Sequence, residues 1–433
     1  MIEVTQAATE AFRHPWLAGL IFVGTFVLIS FRRLSMLPIG RPSAALLGAV
    51  LMVAFGVVEP EEAYRLVNWD TICLLLGMMI VAEHLRAAGL FDIFSRLTEK
   101  IYSPFGLLVL VGAVAALSSA VLVNDPVCVV MTPLVLEICR RKRLKPLPYL
   151  IMLATSSNIG SSLTLTGNPQ NMIIGNLSKL GFLRFMLLMA APFCAAMLVN
   201  VGLAWLFYRN GLKSDDDLPV RPADAIPRES RPEGIIKTRR LRIGLTGLAV
   251  ACAGFVSGFS MAFSALAGAV IVITFHREDP SELLEKMEWS LLMFFAALFV
   301  VIGGLQTSGL ARALTEWSLR LIAGDLDAQV WIFSGVTLVG SNLLSNVPFV
   351  LLASQSVPQM TTPELFWCLL GFVSTIAGNL TIFGSVANMI VAETARNDCP
   401  ISFWAFARFG IPSTILSLLA GVWLLSHILT MAL

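Results

Sequence analysis

Apolar runs separated by short polar turns recur along this chain; in the first half they cover Leu17 to Ser30, Ser43 to Val58, Asp70 to Ala88, Pro104 to Val123 and Phe182 to Phe207. Runs of about 18 or more residues with hardly a charge suit the hydrocarbon of a bilayer rather than a water-facing fold. Of the 433 residues only 13% are charged and 57% are hydrophobic, against about 25% charged in soluble domains. The expected fold class is an all-α polytopic membrane protein, with the lipid bilayer as its first partner.

The polar residues exclude several functions. Thirty Lys and Arg offset 28 Asp and Glu, so no basic field invites nucleic acid. Cys73, Cys128, Cys139, Cys194, Cys252 and Cys368 lie in apolar stretches, Cys399 stands alone in a polar loop, and no C-x-x-C occurs. That argues against a disulfide framework or a zinc knuckle. H-E-x-x-H, G-x-S-x-G and G-x-x-x-x-G-K-[ST] are absent. No enzyme activity, catalytic residue or bound metal is expected, and no cofactor beyond a coupling ion, H+ or Na+.

Charge placement sets the topology. Arg32, Arg33 and Arg41 follow the first run, which puts that end in the cytoplasm and the N-terminus outside. The second run leads outward to Glu59, Glu61 and Glu62, and the third returns. The fourth run reaches Asn124-Asp125-Pro126, and fourteen residues later comes Arg140-Arg141-Lys142-Arg143-Leu144-Lys145. Both ends of that unit want the cytoplasm, so residues 104–139 are expected to form a re-entrant hairpin with its tip at Asn124-Asp125. Fourteen helical residues reach ~21 Å, past the middle of a ~30 Å core. The next span, 148–180, is interrupted by Gly160 to Asn171, too polar and rich in Gly and Pro for a lipid-facing helix, and reads as a broken helix. Residues 208–242 hold nine Lys/Arg, six Asp/Glu and four Pro and read as a cytoplasmic linker after a first repeat, 1–207.

The second half, 243–433, echoes the first. Trp289 and Gly309-Leu310 stand 220 residues after Trp69 and Gly89-Leu90; Asn346 and Pro348 stand 222 after Asn124 and Pro126. Leu380-Thr381, Gly384 and Asn388-Met389-Ile390 stand 217 after Leu163-Thr164, Gly167 and Asn171-Met172-Ile173. These offsets predict a second hairpin at 328–360 with its tip at Ser345-Asn346, and a second broken helix at 363–395. One half makes an odd number of crossings, so the two repeats have inverted topology: each has five transmembrane helices plus one re-entrant hairpin, with one helix broken. Both termini are then outside. Inverted repeats with broken helices mark secondary transporters, whose sites lie at half-helix ends near the midplane.

The candidate substrate- and ion-binding residues are therefore Asn124, Asp125, Thr166, Gly167, Asn168, Asn171, Ser345, Asn346, Asn379, Thr381, Gly384, Ser385 and Asn388. Their oxygens suit Na+ and their N–H groups suit an oxyanion; the alternative is that they only cap broken helices. Asp125 is the candidate for proton or cation coupling, because a carboxylate near the bilayer centre is costly unless paired, hydrated or protonated. Glu83, His84, Arg86 and Glu393 are weaker relay candidates, and Cys128 reads first as a small hydrophobe.

Trp69-Asp70-Thr71 leading to Leu75-Leu76-Gly77-Met78-Met79, the Asn124-Asp125 tip, Thr166 to Asn171, Ser345-Asn346-Val347-Pro348 and Gly378 to Asn388 together resemble the ion transporter superfamily. It includes arsenite/antimonite efflux permeases, D-type Na+/H+ antiporters, citrate carriers and divalent anion/Na+ symporters. The resemblance implies a homodimer in the cell (inner or plasma) membrane, with a transport domain that slides past a scaffold as an elevator. Dicarboxylate carriers have Ser-Asn-Thr at both tips, whereas here the tips read Val123-Asn124-Asp125 and Ser345-Asn346-Val347. The Asn-Asp pair is similar to the arsenite permeases, while Gly167 to Asn171 looks more like the anion permeases. The expected function is proton-coupled efflux of arsenite or antimonite. Alternatives are Na+- or H+-coupled transport of a small anion of citrate, dicarboxylate or sulfate type, and Na+/H+ antiport. A channel or a membrane-embedded enzyme using Asp125 and Glu83 as acids fits the duplication less well.

Overall fold

The computed structural model describes residues 14–30, 40–209, 238–276 and 280–431, and every regular element among them is helical. In chain order these are α1 (Pro15–Ser30), α2 (Arg41–Ala54), α3 (Pro60–Leu66), α4 (Trp69–Ala87), α5 (Asp92–Glu99), α6 (Pro104–Leu122), α7 (Asn124–Arg141), α8 (Pro146–Ser161), α9 (Pro169–Ser178) and α10 (Phe182–Tyr208). Then follow α11 (Thr238–Val256), α12 (Met261–His276), α13 (Pro280–Glu285), α14 (Trp289–Thr307), α15 (Leu310–Leu321), α16 (Leu326–Leu344), α17 (Asn346–Ala353), α18 (Pro363–Ala377), α19 (Val386–Thr394) and α20 (Phe403–Met431). Arg32, Arg33, most of the expected linker (210–237) and the two termini lie outside the described residues.

Local chemistry places the helix starts. Proline occupies the first turn of α2, α3, α6, α8, α9 and α18, where its missing N–H costs nothing. Asn68 caps α4 by accepting from Thr71 N at 2.9 Å, and Ser103 caps α6 by accepting from Gly106 N at 3.2 Å. Single residues end α6 and α16: Val123 (φ 71°, ψ 140°) and Ser345 (φ 73°, ψ 153°) turn the chain straight into α7 and α17. A positive φ is costly for any side chain and most of all for a β-branched one, so these two turns are held by their surroundings. The α6–α7 and α16–α17 pairs each pack together.

Among the described residues four helices are long and apolar enough to cross a membrane: Pro104–Leu122, Phe182–Tyr208, Trp289–Thr307 and the Phe403–Leu429 part of α20. The pair α3 and α4, bent by 53°, passes the same test together. The ten expected spans include shorter pieces, such as α2 with 14 residues and α8 with 16. Where a helix is broken, its crossing length is shared between two elements, here α8 with α9 and α18 with α19.

Small residues let the helices approach closely, as expected where lipid supplies no drive for association. A Cβ on Gly160 would lie 2.5 Å from the Ala116 carbonyl carbon, and one on Gly77 would lie 2.6 Å from that of Ala265, so α8 touches α6 and α4 touches α12 through backbone. Pieces from the two halves interleave at the centre: α19 packs on α7 and α8, and α9 packs on α17 and α18.

Gly160→Ala should therefore force α6 from α8 and destabilise by about 1–3 kcal/mol, the usual range for overpacking, read as a lower melting temperature in detergent. Gly202→Ala, where nothing lies within 4 Å of the new carbon, should leave the melting temperature unchanged.

Candidate functional site

The two helix breaks are closed by the same device. Asn168 caps α9 by accepting from Asn171 N at 2.9 Å, and Ser385 caps α19 by accepting from Ala387 N at 3.2 Å. Asn171 Nδ2 donates to Ser161 O (3.2 Å) and Thr164 O (3.0 Å). Asn388 Nδ2 donates to Gly378 O (2.7 Å) and Thr381 O (3.0 Å). Ser161 ends α8 and Gly378 caps the end of α18, while Thr164 and Thr381 lie in the chain just beyond; the amides return the bonds that the broken helices lost. The glycines make room: a Cβ on Gly167 would lie 2.7 Å from Ser161 Cα, and one on Gly384 would lie 2.7 Å from Gly378 O. Thr166 is buried beside Thr164, whose hydroxyl binds Ala120 O on α6.

Asn158, inside α8, joins one tip to the second break. Its Nδ2 donates to Asn379 Oδ1 (2.8 Å) and Asn388 Oδ1 (2.9 Å), while its Oδ1 accepts from Asn124 Nδ2 (3.0 Å) and Ser385 Oγ (2.9 Å). Asn379 Nδ2 donates to Thr155 O at 3.1 Å. The orientations of these amides follow from backbone. Asn379 and Asn388 point nitrogen at carbonyls, which cannot donate; their oxygens thus face Asn158 Nδ2, and Asn158 Oδ1 must face Asn124 Nδ2. The remaining oxygen, Asn124 Oδ1, is buried without a hydrogen-bond partner.

The first tip is further fixed by Asn124 N donating to Gly167 O at 3.1 Å and by Ser157 Oγ donating to Asn124 O at 3.3 Å. Asp125 beside it is buried, and its Oδ1 has no hydrogen-bond partner. At the second tip Ser345 and Asn346 are half-buried. Asn346 Oδ1 is enclosed without a partner, and Asn346 Nδ2 lies 3.4 Å from where a Gly378 Cβ would be. The structure thus gathers Asn124, Asn379, Ser385 and Asn388 around Asn158, holds Thr166, Gly167, Asn168 and Asn171 at the first break, and leaves Ser345 and Asn346 at the rim. Thr381 contributes its backbone carbonyl. Asn171 Oδ1 is unpartnered too, but it faces Gly371 of α18, 3.1 Å from a Cβ placed there, and so points away from the tips.

Asn158 and Asn200 were not among the sequence candidates. Asn200 of α10 donates to Thr155 Oγ1 (3.0 Å) and Ser156 Oγ (3.1 Å) and accepts from Ser413 Oγ of α20 (2.8 Å). The available signal was an asparagine inside an otherwise apolar helix. Among the weaker candidates, Glu83 is ion-paired to Arg86, whose Nε donates to Glu83 Oε2 at 2.6 Å, and His84 Nε2 lies 2.9 Å from Arg240 O. Glu393 is exposed and lies 3.4 Å from Arg396. Cys128 is buried in α7, and no cluster of three or more His, Cys, Asp or Glu suited to a metal occurs among the described residues.

Residues 26–367 match the family model described as citrate transporter (CitMHS). The silicon efflux transporter LSI3 of Oryza sativa subsp. japonica is 33% identical, covering 95% of this chain and 97% of its own. A transporter of Dictyostelium discoideum named arsB is 30% identical, covering 94% and 92%. An uncharacterized transporter of Mycobacterium tuberculosis (strain ATCC 25618 / H37Rv) is 30% identical over 93% and 96%.

Asn158→Ala would leave buried groups of Asn124, Asn379, Ser385 and Asn388 without their partner. The expected result is a loss of about 2–4 kcal/mol of stability, at roughly 1–3 kcal/mol per orphaned group with some relaxation, together with loss of transport. Glu393→Gln, at an exposed pair, should change neither; thermal melting and flux in liposomes check both.

Proposed function

The chain belongs to the CitMHS citrate transporter family of secondary anion transporters, and from that premise we propose that it exports arsenite or antimonite in exchange for protons. The observation that supports this reading is the kind of atom left open at the tips. Asn124 Oδ1, Asp125 Oδ1 and Asn346 Oδ1 are buried, unpartnered and all acceptors. A small uncharged hydroxide offers hydroxyl donors to such oxygens; an anion needs donors from the protein. A proton on Asp125 turns one of its two acceptor oxygens into a donor. Proton and substrate hydroxyls therefore compete at this residue, which is the requirement for exchange.

The second reading is Na+-coupled transport of a small anion of citrate, dicarboxylate or sulfate type. It draws on the family's name and on oxygens that also suit Na+. Against it, the N-termini of α9 and α19, where an anion would sit, already spend N–H groups on Asn168 and Ser385. The third reading is Na+/H+ antiport with no other solute.

The matched tips and clamps also support two inverted halves working by elevator-type alternating access. In that arrangement the chain is multi-pass in the cell membrane with both termini outside, acts as a homodimer, and needs no cofactor besides its coupling ion. Asp125→Asn keeps size and polarity but removes the titratable charge. In liposomes this variant should still exchange arsenite at equal pH yet lose accumulation driven by a pH gradient. Accumulation that survives would exclude Asp125 as the coupling group. Flux of citrate or sulfate that depends on Na+, with none of arsenite, would favour the second reading, and Na+-driven proton movement alone the third.

A further inference from the structure

Five buried hydroxyls in the second half take no part in the site. Ser334, Thr337 and Ser341 lie on α16, Thr414 and Ser417 on α20, and none of the five has a hydrogen-bond partner among the described residues. A buried Ser or Thr in a helix can return its hydroxyl to a carbonyl of its own helix. Thr132 and Thr155 do so here, at 2.6 and 2.9 Å. The five do not, so their hydroxyls turn away from their own backbone and toward the packing between helices.

That packing sets them at matching heights. α16 and α18 lie side by side and run in the same direction. Thr361 Oγ1, just before α18, is 3.1 Å from Gln329 Oε1; the Phe333 and Phe366 ring centres are 5.2 Å apart; and Asn342 Nδ2 donates to Ala377 O at 3.1 Å. α20 runs the opposite way along α18, since a Cβ on Gly410 would meet Asn379 O and one on Gly421 would meet the Phe372 ring. Thr414 and Ser417 stand between those two glycines, at the height of Phe372 to Asn379, and Ser341 stands beside Asn342 at the same height. α20 also packs directly on α16.

Along α16 the three hydroxyls recur after three and four residues, so they share one face. It is the buried face, with Trp331, Gly335 and Val339 exposed on the other side. The steps along the axis are about 4.5 and 6 Å, and one water bonded to two hydroxyls spans about 5.6 Å. A single water therefore fits each step. Unpartnered oxygens continue the line at both ends, Thr362 Oγ1 next to Thr361 and Asn346 Oδ1 at the tip. α1, α17, α18 and α20 pack on α16. Their titratable groups are Glu364, which accepts from Arg184 Nη2 at 2.7 Å, the buried Cys368 thiol, and Arg408 and His427, both exposed; α16 itself carries Asp327, exposed in its first turn. A row of hydroxyls with no ion among them suits water, which gives and takes hydrogen bonds as they do, better than an anion or a metal cation.

We propose that these hydroxyls hold a file of water along α16, from the start of the second hairpin to its tip, and that the coupling proton enters by it. This rests on the reading of proton exchange above. In the inverted arrangement α16 begins at the outer face, the side from which an exporter takes its proton. In a line where hydroxyl and water alternate, each member gives up one proton as it takes another. A proton taken in at the outer end thus delivers one at the second tip, into the site where Asp125 is the acceptor, and the line is left with as many protons as before.

Thr337→Val tests the water itself, because it keeps the shape and removes only the hydroxyl. If that hydroxyl is bonded to water, the melting temperature in detergent should fall, by about 2 °C. An unchanged or raised value marks a dry hydroxyl and would overturn the proposal. Deuterium uptake by the amides of residues 330–341 should run about tenfold or more faster than in the matching stretch 108–119 of α6, where Ser119 lies 2.8 Å from Ser157 Oγ. Thr337→Val should remove most of that difference, and equal protection in wild type counts against the file. In liposomes, with arsenite as the probe, the triple variant Ser334→Ala, Thr337→Val, Ser341→Ala should keep flux at equal pH with KM within about twofold. Its accumulation driven by a pH gradient should fall about tenfold or more, while Thr337→Ser, which keeps a hydroxyl, should accumulate as wild type does. Normal accumulation by the triple variant would overturn the route, as would equal loss of both activities, which marks a structural role; if the triple variant does not fold, Thr337→Val alone is compared. Wild-type flux that ignores the pH gradient would remove the exchange reading and the proton's route with it, while melting and deuterium uptake still decide whether water fills the file.

Discussion

A helix broken inside apolar surroundings leaves carbonyl groups that water does not reach, and the centre of this protein is arranged around satisfying them. Asn171 and Asn388 each donate to two such carbonyls. An unsatisfied buried group costs about 1–3 kcal/mol, and two such losses are a large share of the 5–15 kcal/mol by which ordinary domains stay folded. The clamps must therefore form before the breaks can serve any other purpose. Once they form, they dictate the orientation of every amide behind them, from Asn388 and Asn379 through Asn158 to Asn124. The open oxygen at the first tip is the last member of that chain.

This ordering explains why so much polarity sits at the centre with so little charge. Amides clamp backbone without the desolvation cost of ions. At the tips and breaks the one charged residue is Asp125. A carboxylate among acceptor oxygens favours a solute that brings its own hydroxyl donors, as the proposed export of arsenite or antimonite requires.

Much of this was legible in the sequence because helix breaking has a strong local signature. Gly, Pro and Asn inside apolar runs marked the stretches around Asn168 and Ser385, and the chain turns at Val123 and Ser345, beside the polar tips named from the sequence. Partnership was not legible. Asn158 lies inside a continuous helix and bonds residues 221 and 230 positions away, so its role depends on packing between halves. Glu83 and Glu393 drew attention as acids near the membrane, but the nearby Arg86 and Arg396 occupy them.

The matched backbone does not extend to the side chains along the two hairpins. On α6, Gly112 and Ser119 pack closely on α8, where Ser119 Oγ lies 2.8 Å from Ser157 Oγ. The residues 222 positions later on α16 are Ser334 and Ser341, and Thr337 stands in the place of Ala115; all three are buried hydroxyls with no hydrogen-bond partner. The tips follow the same division. Asn124 is bonded to Asn158 and Gly167, whereas Asn346 is half-buried and holds nothing in the asparagine cluster. Displacing the second tip breaks no bond to Asn158, while displacing the first away from Asn158 breaks the bond that aims Asn124 Oδ1. The two hairpins are thus alike in backbone and unequal in restraint, and the titratable group sits on the restrained one, where its position relative to the clamps is fixed.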